Sequence, residues 1–144
     1  MPSIYVNTDN SNPASKLFNA SKVGKSAAAA EKKMQGAVVD AIDKAKPDFN
    51  TDTPGKGYSL RMKVQAEPAG GRATKYTVIT EIIRYPLSPT KGGKAEEMVN
   101  TTSRPGSATV DGGSEADLLD AIGELTKGNV KAALPVMRID MTRR

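Results

Sequence analysis

The stretch KVGKSAAAA, residues 22–30, contains Gly24-Lys25-Ser26, the tripeptide that closes a phosphate-binding P-loop. Such a loop needs a further glycine five positions before the Gly-Lys pair, because a tight run of backbone N–H groups cradles the phosphates. That position is Asn19. The tripeptide also falls within an apolar stripe of helical spacing that begins at Val23, so a surface lysine and serine near a helix start are expected. No nucleotide cofactor is implied.

Ser88-Pro89-Thr90-Lys91 matches the SxxK pattern of Ser–Lys acyl enzymes, in which the serine opens a helix and the lysine returns one turn later. Gly92 and Gly93 argue against that helix, and a loop is the expected structure. The chain has no His and no Cys, which removes His-assisted hydrolysis, thiol nucleophiles, redox pairs and zinc sites built on imidazole or thiolate. Two pairs of acids remain. Asp40 and Asp43 face solvent on a lysine-flanked helix, while Glu96 and Glu97 are neighbours that point to opposite sides when extended. Neither pair has the apolar surroundings that raise a carboxyl pKa into the general acid–base range. The acidic run DGGSEAD, residues 111–117, lacks the spacing of a calcium loop and reads instead as a helix start. No catalytic residue, cofactor or metal site follows, and the expectation is a protein that is not an enzyme.

The elements that would carry these residues follow from periodicity. Residues 3–7 (SIYVN) suit a short strand, and the Asn-, Ser- and Pro-rich run after it suits a connector. From 21 to 46, Val23, Ala27, Ala30, Met34, Val38, Ala41 and Ala45 recur at spacings of three and four, the signature of an amphipathic helix. Residues 58–67 alternate without error: Tyr58, Leu60, Met62, Val64 and Ala66 share one side, Ser59, Arg61, Lys63, Gln65 and Glu67 the other. Residues 75–85 are rich in β-branched and aromatic types, and PAGGR supplies turn chemistry, so the two segments form an expected antiparallel hairpin. Residues 95–103 and 107–110 suit further short strands. Ser114 with Asp117 caps a second helix whose apolar side is Leu118, Ile122 and Leu125, with Gly128 past its end. The last segment is then a strand or a basic tail over 138–144.

These elements predict one domain over residues 1–144, its amino-terminal segment (1–20) extended. The expected class is α+β: a two-layer sandwich with one mainly antiparallel sheet of three to five strands and two helices on one face, in the order β-α-β-β-β-α. That order resembles the small two-layer domains of envelope-assembly proteins, such as the lipopolysaccharide-assembly lipoproteins. The resemblance implies a layout; it rests on no motif and implies no activity.

Charge bounds the partners. The net charge is +5, with 16 Lys or Arg against 10 Asp or Glu in residues 1–110 and 5 against 6 in the remainder. The first helix is rich in lysine and the second in acid, so side-by-side packing would answer part of the excess internally. No window reaches the ~18 apolar residues of a membrane span. The start lacks a leader, so the expected compartment is the cytoplasm, or the periplasm or exterior if a leader has been removed.

Two function classes follow. The first is a non-enzymatic interaction or assembly module, self-associating or binding a protein partner through sheet edges, with Val39, Ile79 and Ile83 as apolar surface. The second is nucleic-acid binding through Lys22, Lys25, Lys32 and Lys33 with Arg61, Lys63, Arg143 and Arg144, where stacking would need exposed aromatics nearby.

Overall fold

The computed structural model describes residues 3–10, 16–52, 57–71, 73–84, 97–100, 106–111 and 115–143. Among these residues seven strands and two α-helices form, in the order β1 (Ile4–Asn7), β2 (Phe18–Asn19), α1 (Ala27–Asp43), β3 (Phe49–Asn50), β4 (Gly57–Pro68), β5 (Ala73–Arg84), β6 (Glu97–Asn100), β7 (Gly106–Asp111) and α2 (Glu115–Arg143). Ser21–Ser26 is a 3-10 segment leading into α1.

The β4–β5 hairpin is the frame. Its antiparallel register runs from Tyr58 opposite Arg84 to Pro68 opposite Thr74. Gly70 and Gly71 take φ of 98° and 57°, a backbone that side-chain-bearing residues rarely adopt, and Ala73 N–H closes the turn on Gly70 O at 3.0 Å. Alternation then sorts the residues. Tyr58, Leu60, Met62, Val64, Val78 and Ile82 enter the core, while Lys63, Gln65, Glu67 and Lys75 stay exposed.

Each side of the hairpin is lined by an interrupted strand. β1 pairs parallel with β4 up to Asn7–Ser59, and β2 resumes at Phe18–Met62. Between them Asn10 stands in for strand backbone: its Oδ1 accepts from the N–H of Leu17 and of Phe18, and its Nδ2 donates to Phe18 O. On the far side β6 pairs antiparallel with β5 down to Ile82, and β7 resumes at Val78. β3 pairs parallel with β1 at the outer margin.

This topology overturns the expected mainly antiparallel, two-layer arrangement in the order β-α-β-β-β-α. β5 alone runs against the rest; β1, β2, β3, β4, β6 and β7 share one direction. The element order is β-β-α-β-β-β-β-β-α. The physical reason is the crossover through α1, which returns the chain to β3 and β4 in the direction it left, as a parallel pairing requires. Strands of two residues, β2 and β3, carry too little alternation to be read from sequence.

The helices differ from expectation at their ends. α1 begins at Ala27 rather than within residues 21–26, because Gly24 breaks the helical path at φ 66°, ψ −121°. It stops at Asp43, just before the turn that contains Pro47. α2 is one helix of 29 residues and continues through Pro135, so residues 138–143 are neither strand nor loose tail. Its inward positions are Leu118, Ile122, Thr126, Asn129, Val130, Ala133 and Met137, spaced by threes and fours. Thr126 and Asn129 are polar, which conceals the stripe in the sequence. Thr126 Oγ1 turns back to Ile122 O at 2.8 Å, and Asn129 Nδ2 donates to Val78 O at 2.9 Å. The carbonyl that Asn129 meets lies at the Val78–Gly106 end of the β5–β7 ladder, so the amide adds a second donor to a carbonyl that β7 already faces.

One apolar cluster joins both helices to the sheet: Met34, Val38 and Ile42 of α1, Ile122, Val130 and Met137 of α2, and Ile4, Val6, Phe18 and Phe49 of the short strands. At ~1.5–3 kcal/mol for each fully buried large side chain, this cluster dominates the stability. The last turns of α2 are tied down separately. Asp140 accepts from Tyr58 Oη at 2.5 Å, and Arg138 lies 5.2 Å from the Phe49 ring centroid and 3.4 Å from Asp48.

Candidate interaction surfaces

The expected apolar surface is not present as such. Ile83 is only 3% exposed and sits opposite Ser59, itself buried, so that part of the sheet is covered. This corrects the expectation that Ser59 faces solvent and that Ile83 offers free surface. Ile79 is half-buried opposite exposed Lys63. Val39 is half-buried on α1 and lies outside the core cluster.

The basic residues are divided rather than gathered. Arg61 and Lys63 alternate with the core residues of β4, and Arg61 meets Glu81 at 3.5 Å. Lys22 and Lys25 are exposed on the 3-10 segment, and Lys32 and Lys33 on α1, with Lys33 Nζ 3.9 Å from Asp120. Arg143 closes α2. Tyr58 is fully buried and Tyr76 packs against the core, so neither ring is available to stack on a base. Ser88 to Lys91, Glu96, Ser114 and Arg144 lie outside the described residues. Lys46 holds a local cluster instead. Its hydrogen bond to Asp52 and then that to Asp43, each ion pair at 3.2 Å, raise its pKa above the ordinary 10.5.

Two surfaces have more definite geometry. The first is the sheet margin formed by β7. Met62 N–H donates to Leu17 O at 2.6 Å, on the side away from β5. Even-numbered amides of β4 therefore point away from β5 and odd-numbered ones toward it. Carried through both antiparallel registers, this aims the amides of Gly106, Ala108 and Val110 at β5, and those of Ser107 and Thr109 outward. Thr109 is exposed, and among the described residues β7 pairs with β5 alone. The opposite margin is blunted. β3 has two residues, and β4 beyond Lys63 ends in Glu67 and Pro68, a charge and a residue without an N–H.

The second is the groove between the helices, about 840 Å³, lined by the small or apolar Ala29, Gly36, Ala37, Leu119 and Gly123 together with charged residues of both helices. Lys33 pairs with Asp120 and, one heptad later, Asp40 with Lys127 at 3.8 Å, so α1 and α2 run parallel and in step. The lysine-rich helix thus answers the acid-rich one, as the charge pattern led one to expect. Sequence reading did not single out Gly36 or Thr109; nothing in the chain marks them until the register is known.

Searches of protein-family models, curated proteins and solved structures found no match to this chain. Among the described residues no group of His, Cys, Asp or Glu is placed to hold a metal ion, and no helix is long and apolar enough to cross a membrane.

Proposed function

We propose that the protein is a non-enzymatic interaction module that takes up an extended segment of a protein partner along β7. The observation that supports this reading is the contrast between the two margins of one sheet. One is shortened and closed by charge and proline. The other offers a six-residue strand in which Gly106–Val110 carries no charge and no proline. Strand addition draws its affinity from main-chain hydrogen bonds and needs such an unblunted edge.

The test uses Thr109. A photo-crosslinking side chain at Ser107, two residues along the same edge, is expected to capture an extended segment of the partner. Thr109→Pro removes an outward N–H and no ladder bond to β5, so it should abolish capture and leave the circular dichroism unchanged. Amide exchange at Ser107 and Thr109 should be fast in the isolated protein and slow once a peptide of the captured sequence is added. Capture undiminished by Thr109→Pro, with no added protection at these two amides, refutes the reading.

A further inference from the structure

The two helices present a charge pattern that is its own complement. On α1, Lys33 precedes Asp40; on α2, level with them, Asp120 precedes Lys127. The four charges occupy the corners of a patch two helical turns long, with like signs on the diagonals. Lys32 reinforces the basic corner of α1, and Glu124 adds acid between Asp120 and Lys127. A partner of one charge sign, such as a nucleic acid or an acidic peptide, would be attracted by two corners and repelled by two.

A second copy meets no such conflict. A two-fold axis parallel to the helices lays α1 over α2 of the other copy at the same level, so Lys33 meets its Asp120 and Asp40 its Lys127. A two-fold axis perpendicular to the helices lays α1 over α1 reversed, so Lys33 meets Asp40 and Asp120 meets Lys127. Both isologous arrangements bring opposite charges together at every corner. The intrachain pairs, at 3.8 and 3.9 Å and well exposed, are loose enough to be shared across such a contact. The groove also has room. A Cβ built on Gly36 meets nothing within 4 Å, and Ala29 and Ala37 leave the floor low enough for another backbone to approach.

We infer that the α1–α2 face docks a second copy of this chain, forming a symmetric dimer independent of the β7 edge. Sedimentation tests it on the full chain. At roughly 0.2 mM protein the wild type should be dimeric. Raising salt from about 50 to 500 mM should weaken the dimer tenfold or more, since the corners are solvent-exposed. Asp40→Lys places like charges in contact under either axis, and Gly36→Gln fills the groove in a monomer that tolerates the side chain. Each should raise the dissociation constant at least tenfold, with circular dichroism and melting temperature preserved in Gly36→Gln because glutamine favours helix over glycine. Thr109→Pro should leave the dimer intact. A wild-type protein that stays monomeric at low salt overturns the inference. So does a dimer indifferent to both groove variants, or one dissolved by Thr109→Pro alone, which would seat it on the β7 edge.

Discussion

Replacing Asn129 by alanine probes the contact that fixes α2 on the sheet. Asn129 is 5% exposed, and its Nδ2 donates at 2.9 Å to Val78 O, a carbonyl that also faces Gly106 of β7. Alanine removes one of two donors to this carbonyl, at a cost of about 0.5–1.5 kcal/mol. The vacated space adds a smaller term, about 24 cal/mol per Å³ left unfilled. The sum is roughly 1–2 kcal/mol, or about 3–8 °C in melting temperature for a chain of this size. Asn129→Leu restores volume without the donor, so it separates the two terms. If the hydrogen bond is the cause, leucine recovers little. Asn129→Asp adds a sign test. An introduced carboxylate can donate to Val78 O only when protonated, and burial also favours the neutral acid, so its folded pKa rises above the unfolded value. A raised value means the folded state binds more protons, so stability falls as pH rises from the unfolded toward the folded pKa. Urea melts from acid to neutral pH read all three variants. Wild-type stability in the leucine variant, or an aspartate variant that gains stability as pH rises, refutes the assignment of the loss to this hydrogen bond.

Gly57 sits beside β1, and a Cβ there would lie 1.8 Å from Tyr5 O, a backbone atom that cannot swing aside. Gly57→Ala should cost about 3 kcal/mol or more in a urea melt; a cost below about 1 would mean the β1–β4 ladder yields freely. Lys46, with its pKa raised by Asp52 and Asp43, contributes stability that is complete below the unfolded value of 10.5 and is lost as pH climbs through the folded one. Thermal melts of wild type and Lys46→Met should therefore converge in strong alkali, and curves that diverge there contradict the assignment.

The hairpin was legible because nothing competes with its alternation: from Tyr58 to Ala66 every second residue is apolar, and two glycines sit where φ must be positive. The flanking strands were not. β1 and β2 are one strand position along β4 interrupted by residues 8–17, and the repair is made by the side chain of Asn10, which no pattern marks. The end of α2 was hidden for another reason. Gly128 looks like a helix stop, yet it is exposed in mid-helix, and the stripe passes through Thr126 and Asn129 because each finds a hydrogen-bond partner inside. Burial with a partner costs little, so polarity at a core position is compatible with the helix and invisible to periodicity. The candidate surfaces were legible only as tendencies. The opposite charge of the two helices could be read, but which lysine meets which acid depends on the direction in which they pack.

That direction carries its own argument. With α1 and α2 parallel, Lys33 meets Asp120 and Asp40 meets Lys127. Reversing one helix about the midpoint between these pairs would set Lys33 against Lys127 and Asp40 against Asp120. Each exposed pair is worth at most about 1 kcal/mol, and each like-charge meeting costs a similar amount, so the pattern favours the parallel packing by roughly 1–3 kcal/mol. The apolar cluster outweighs that several-fold and sets the packing itself. Where the core alone would accept either direction, the charges decide. Parallel helices also align their dipoles unfavourably, and crosswise ion pairs are a means of offsetting this without adding net charge. The same constraint makes the outer face self-complementary: a pattern that rejects reversal within one chain is one in which every corner finds its opposite in a second chain.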